Sequence, residues 1–176
     1  MKKTVFTFGL IAGAIITTMM VIGISMMYSN PNLQANEVVG YVTMLISFAL
    51  IFVGVKSYRD KHNGGIISFG KAFKVGFYIT LLASTIYVGV WLIDYYVFHP
   101  DFIEKYTECS INRAKAGGAT PAQLQSQMDS LEFYAKGYKN PVFVILLTYM
   151  EVLPVGAVVA LISALILKRK TARSKA

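Results

Sequence analysis

Apolar residues run along the chain in four long blocks, and the segments between them carry nearly all of the charge. The blocks cover residues 5–28, 38–55, 75–98 and 141–167, with two charged residues among them. A hydrocarbon core of roughly 30 Å is crossed by about 20 helical residues, whose backbone groups must be hydrogen-bonded within the segment. Strands of a β-barrel would alternate over about ten residues, and these blocks do not alternate. The pattern predicts an all-α integral membrane four-helix bundle.

The longest polar segment, residues 99–140, predicts a helical hairpin between the third and fourth membrane helices. Gly117-Gly118-Ala119 separates its two amphipathic halves, and Thr120 before Pro121 suits the N-cap of the second half. About 40 residues cannot bury a core of their own, so we expect the hairpin to lie over the helix ends. Its predicted helices cover about residues 101–116 and 121–138.

The distribution of lysine and arginine predicts the orientation in the membrane. Twelve of these residues lie before the first helix, between helices two and three, and in the tail at 168–176; five lie in the hairpin. Because cytoplasmic segments carry the excess of basic residues, both termini are expected in the cytoplasm and the hairpin outside it. The net charge of +8 is then a consequence of topology, so no nucleic-acid partner is expected.

The composition argues against an enzyme and against a cofactor or metal site. Only 15% of the residues are charged, against about 25% in soluble domains. One cysteine cannot form a disulfide framework or a thiolate metal site. His62 and His99 lie on opposite sides of the predicted membrane, and no Ser-His-Asp, paired-carboxylate or H-E-x-x-H pattern is present. We therefore predict no catalytic residue, no metal ligand and no cofactor.

An intramembrane polar site is predicted around Glu151, Pro154 and Asp94. Glu151 precedes Leu167 by 16 residues, roughly 24 Å of helix, which places it within the hydrocarbon, whereas Asp94 lies near the outer boundary. A carboxyl group there is expected to face the bundle interior and be hydrogen-bonded, because exposure to lipid is expensive. Pro154 has no N–H for the carbonyl four residues earlier. Three interpretations stay open: a structural carboxyl at a proline kink, a proton or ion relay, and a contact with lipid or a partner.

Two sets of residues suggest contacts with lipid and between helices. Basic residues of the second interhelical segment could bind anionic lipid headgroups or merely mark the cytoplasmic side: Lys56, Arg59, Lys61, Lys71 and Lys74. Small residues at four-residue spacing let helices approach closely in lipid, and their matched depths predict direct contact between the first and fourth helices: Gly9, Gly13, Gly156, Ala160 and Ala164.

Two sequence blocks carry a family resemblance. The first block contains Lys56-Ser57-Tyr58-Arg59-Asp60, Asn63-Gly64-Gly65 and Ser68-Phe69-Gly70-Lys71-Ala72-Phe73, and the second contains Glu151-Val152-Leu153-Pro154-Val155-Gly156 and Leu161-Ile162-Ser163-Ala164. With these blocks the chain resembles a Bacteroidetes inner-membrane family catalogued as domain of unknown function 4199. The resemblance implies a four-helix protein of the bacterial inner membrane, with Gly64-Gly65, Glu151 and Pro154 as typical positions, and implies no activity.

These observations together predict a non-enzymatic structural or interaction protein embedded in the lipid bilayer. Its expected partners are anionic headgroups, a second copy of the chain or another membrane protein. The alternative is a small transporter or channel subunit that uses the carboxylate of Glu151.

Overall fold

The structure, a computed structural model, describes residues 1–29 and 37–169, and the predicted all-α architecture is confirmed within these ranges. A single β-bridge is the sole extended pairing there. The elements are α1 (Lys2–Ser29), α2 (Glu37–His62), α3 (Phe69–Ile93) with a π-helical turn at its end (Asp94–Phe98), α4 (Phe102–Ala116), α5 (Pro121–Gly137) and α6 (Pro141–Leu167).

Four helical segments are long and apolar enough to cross a membrane, as the four apolar blocks predicted. They are Lys2–Ser29, Gly40–His62, Phe69–Phe98 and Pro141–Leu167. α2 extends past the end of its apolar block, because hydropathy marks the part of a helix that suits lipid and not the residue where the helix ends. It ends before Gly64 and Gly65, whose φ angles of 61° and 78° only glycine adopts without strain. Most of the predicted basic tail, residues 170–176, lies outside the described residues.

The two ends of the bundle differ, and we call them the hairpin end and the basic end. The hairpin end is covered by α4 and α5, and the basic end is where α1 begins and α6 ends. At the basic end, the backbone of Ile67 exchanges two hydrogen bonds with Arg169, at 3.1 and 2.8 Å. This bridge joins the α2–α3 loop, within the first block of the family resemblance, to the residues that follow the second block at the end of α6.

In the bundle, α2 and α3 lie between α1 and α6. A Cβ atom added at Gly13 would lie 2.8 Å from the side chain of Ile86 on α3. At the other interface, a Cβ added at Gly76 of α3 would lie 3.0 Å from that of Ala160 on α6. The predicted direct contact between the first and fourth helices is therefore wrong. The five small residues are buried, but those of α1 lie against α3 and those of α6 against α2 and α3: Gly9, Gly13, Gly156, Ala160 and Ala164.

Large and small side chains fill the centre of the bundle together. Phe48, Ile51, Ile79 and Val152 are fully buried there. Several hydroxyls buried among them donate to carbonyls one turn earlier in their own helices, as Thr80 does to Gly76 at 3.1 Å, whereas the buried Ser84 hydroxyl has no partner among the described residues. Such bonds let a polar side chain lie in an apolar interior without an unsatisfied donor.

The α4–α5 hairpin forms with the predicted break and cap. Gly118 has a φ of 77°, and the Thr120 hydroxyl accepts the backbone N–H of Gln123 in a capping box. No residue of α4 is buried, and Leu131 is the one buried residue of α5. The hairpin thus has no core of its own, as its length predicted.

Candidate functional site

Four polar and aromatic side chains from three elements meet at the hairpin end. His99 places its Nδ1 3.0 Å from the buried Asp94 carboxylate, and Tyr28 of α1 donates to Asp101 at 2.7 Å. The rings of Tyr28 and His99 lie 4.4 Å apart. We call these residues the outer cluster: Tyr28, Asp94, His99 and Asp101. It ties the end of α1 to the end of α3 and the start of α4.

The π-helical turn explains why Asp94 and His99 meet. They lie five positions apart in the sequence, and the backbone N–H of His99 donates to the Asp94 carbonyl at 2.8 Å, the hydrogen bond that closes a π turn. An ordinary α-helix pairs residues three or four apart, so helical spacing did not predict this contact. The side chain of His99 is therefore only 22% exposed and is paired with Asp94.

The hydrogen bonds of the outer cluster are suited to joining α1, the end of α3 and the start of α4. A carboxylate that bonds one imidazole nitrogen fixes the orientation and tautomer of the ring. Within the described residues, no group of three or more metal-ligating side chains is close enough to hold a metal ion. The cluster therefore anchors the hairpin to the membrane helices.

An aromatic cluster next to it docks the hairpin on the bundle. Trp91 is 7% exposed, with ring centroids 4.7 Å from Phe102 of α4 and 6.5 Å from Tyr138 at the end of α5. Burial raises the pKa of the Tyr138 hydroxyl to about 12, and the Glu151 carboxylate adds to this shift. Trp91 is thus an interior residue between bundle and hairpin.

Glu151 is exposed on α6, and the expectation that it faces the bundle interior is wrong. Thr148 and Val152 take the buried positions at that level of α6, and Gly156 continues the same stripe. These small or β-branched residues allow α6 to approach α3 closely, and a carboxylate would not fit there. Within the described parts of the chain, Glu151 has no hydrogen bond or ion pair, and it interacts electrostatically with the hydroxyls of Tyr87 and Tyr138.

The three residues of the predicted intramembrane polar site therefore separate into two places. Asp94 is buried in the outer cluster with His99 as its partner. Pro154 lies inside α6 and is exposed, three residues after Glu151. Only Glu151 and Pro154 share a surface, and that surface is on the outside of the bundle.

The five basic residues predicted to contact anionic lipid also divide. Arg59 is 8% exposed and donates two hydrogen bonds to the Asp60 carboxylate, at 2.7 and 3.1 Å. It also donates to the Leu167 carbonyl at 3.4 Å. Lys71 donates to Asn63 at 2.7 Å and lies over the Tyr58 ring. Arg59 and Lys71 thus hold the basic end together. All four lysines of the set are exposed, namely Lys56, Lys61, Lys71 and Lys74, and the last lies over the Tyr78 ring.

One family model matches the chain, over residues 7–169, and its description is "Protein of unknown function (DUF4199)". No curated protein and no solved structure matches the chain.

Proposed function

The chain belongs to the DUF4199 family, and we propose that it is a non-enzymatic interaction protein of the membrane that pairs with a second copy of itself through α6. One observation carries the proposal, which is the exposed and unpaired Glu151 on an apolar helix surface, as far as the described residues extend. A carboxyl group facing hydrocarbon is expensive, and intramembrane carboxyls are nearly always paired. A partner that covers it removes that cost.

The surface around Glu151 suits a transmembrane helix as its partner. Exposed residues follow it on the same side of α6 at spacings of three and four residues. We call them, with Glu151, the Glu151 face: Glu151, Pro154, Val158, Ile162 and Leu165. All but Glu151 are apolar, so the face fits an apolar helix that supplies one hydrogen-bonding group at the level of Glu151.

A second copy of the chain supplies that group by symmetry. In a twofold pair identical faces meet, and where the axis passes beside Glu151 the two Glu151 side chains lie opposite each other. A protonated carboxyl both donates and accepts, and two of them can satisfy each other with no further residue. Interhelical hydrogen bonds of this kind contribute about 1–2 kcal/mol to helix association in lipid.

Substitutions at Glu151 test the proposal by cross-linking. In a Cys109→Ala background, Val158→Cys on the Glu151 face should form a disulfide-linked dimer in native membranes, whereas Leu45→Cys on the exposed side of α2 should not. Glu151→Gln keeps both hydrogen-bonding functions and should keep the dimer, while Glu151→Leu should reduce it about tenfold. Thermal stability of the monomer should stay within about 0.5 kcal/mol in both variants, because the side chain is exposed and makes no hydrogen bond or ion pair within the described residues.

The same variants separate this proposal from the transport alternative. A relay needs a group that releases a proton, so Glu151→Gln would abolish pH-dependent flux in reconstituted vesicles. Flux that requires the protein and disappears in Glu151→Gln, with equal cross-linking in Glu151→Leu, would overturn the proposal in favour of a transporter or channel subunit.

We also propose that the basic end faces the cytoplasm of a bacterial inner membrane. The excess of lysine and arginine at the basic end supports this orientation. In the Cys109→Ala background, Lys56→Cys should be protected from an impermeant thiol reagent in intact cells, and Ser126→Cys in α5 should react. Labelling of Lys56→Cys from outside, with Ser126→Cys protected, would reverse the orientation.

A further inference from the structure

A polar groove lies at the basic end, between the first turns of α1 and the last turns of α2. Its volume is about 270 Å³, and Phe8 supplies an apolar wall. The polar side chains that line it are Lys3, Thr4, Thr7, Ser57, Lys61 and His62. The proposed pairing through α6 does not involve this groove.

The hydroxyls of the groove, like those of Thr17 and Ser84 elsewhere in the bundle, lack the hydrogen bond that many helical hydroxyls make. Ser47, Thr148 and Ser163 each donate to the carbonyl four residues earlier. Thr7 and Ser57 make no such bond in the described structure, although α1 and α2 offer the same carbonyls. Thr4 is only 5% exposed, lines the groove and likewise has no hydrogen-bond partner among the described residues. Because the Thr4 side chain lines the groove, its hydroxyl is available to a group bound there.

The charges of the groove are positive and unopposed. Neither Lys3 nor Lys61 forms an ion pair within residues 1–29 and 37–169. His62 stacks on Tyr58 with ring centroids 6.0 Å apart, which leaves its nitrogens at the edge of the stacked pair. The first turn of α1 adds backbone N–H groups that lack acceptors within the helix. Cations, hydroxyl donors and free N–H groups together suit a phosphate group.

We propose that this groove binds the phosphate of an anionic phospholipid from the adjoining leaflet. The groove lies where the apolar block of α1 begins, which is the depth at which headgroups lie. Phe8 continues from the groove toward the apolar part of the helix and can contact the glycerol and the first methylenes of a lipid. A soluble phosphate would use the polar groups but would gain nothing from Phe8.

Native mass spectrometry of the full-length protein in detergent tests the proposal with phosphatidylglycerol, phosphatidylcholine and inorganic phosphate as separate probes. Phosphatidylglycerol should bind at one site with clear preference over phosphatidylcholine, and millimolar inorganic phosphate should not displace it. Lys61→Gln and Lys3→Gln should each raise its dissociation constant about fivefold. Thr4→Val, which keeps the shape of the side chain, should also weaken binding about fivefold.

Lys56→Gln is the matched control, because Lys56 is exposed on α2 near the groove but does not line it. It should change the dissociation constant less than twofold, and circular dichroism should show that all variants stay folded. Equal weakening by Lys56→Gln and Lys61→Gln would overturn the proposal, since general attraction would then explain binding. Equal affinity for phosphatidylcholine, or displacement by inorganic phosphate, would overturn the anionic lipid as ligand.

Discussion

Replacing Gly156 with leucine is expected to abolish the packed bundle, and replacing it with alanine should destabilise the bundle by about 1–3 kcal/mol. A Cβ atom at Gly156 would overlap the Thr80 methyl group and lie 3.1 Å from the Phe48 ring. Thr80 cannot simply rotate away, because its hydroxyl donates to the Gly76 carbonyl. α6 would have to move away from α2 and α3 along its whole interface.

Gly23→Ala is the matched control for this experiment. Gly23 lies inside α1, and a Cβ atom there would have no neighbour within 4 Å. Both alanine substitutions increase helix propensity by up to about 1 kcal/mol, so a difference between them reports the contact at Gly156. Thermal unfolding in detergent should show Gly23→Ala equal to or above the wild type and Gly156→Ala below it. A Gly156→Ala variant as stable as Gly23→Ala would contradict the close packing of α6 on α3.

Gly13→Ala and Ala160→Val are expected to destabilise the bundle additively, and together to cost about 2–6 kcal/mol. Each change enlarges a contact with α3, but at different places: Gly13 faces Ala83 and Ile86, whereas Ala160 faces Gly76. Gly76 and Ala83 are about 10 Å apart along the helix axis. Changes that share no partner at such a distance add within about 0.5 kcal/mol.

A second pair of substitutions is a positive control for non-additive changes in stability in the same bundle. Gly76→Ala and Ala160→Val enlarge the two sides of a single contact, so their double variant should depart from additivity by more than about 0.5 kcal/mol. Both cycles are measured by unfolding in the same detergent. Coupling between Gly13→Ala and Ala160→Val as large as in this pair would mean that α1 and α6 touch, contrary to the structure.

The sequence predicted those features that depend on neighbouring residues alone. Length and hydropathy placed the four apolar helices, since backbone groups in lipid must bond within their own segment. The same holds for the hairpin, where Gly118 needs a positive φ and Thr120 caps the helix that Pro121 begins. The sequence did not predict the pairing of Asp94 with His99, because this pairing depends on a π turn that no local sequence pattern indicates.

The partners of each helix, and the side that each helix presents, were decided only by the tertiary structure. Apart from Glu151, α6 carries no charged residue, so no contrast between a polar and an apolar face specifies its rotation about its axis. In lipid, burying an apolar side chain gains little, and close backbone approach determines which faces meet. The small residues of α1 and α6 lie at matched depths, but each set packs against α3 and not against the other. The close contact of α6 with α2 and α3 places Gly156 inside the bundle. Glu151 lies on a different side of α6 and is therefore on the outside of the bundle.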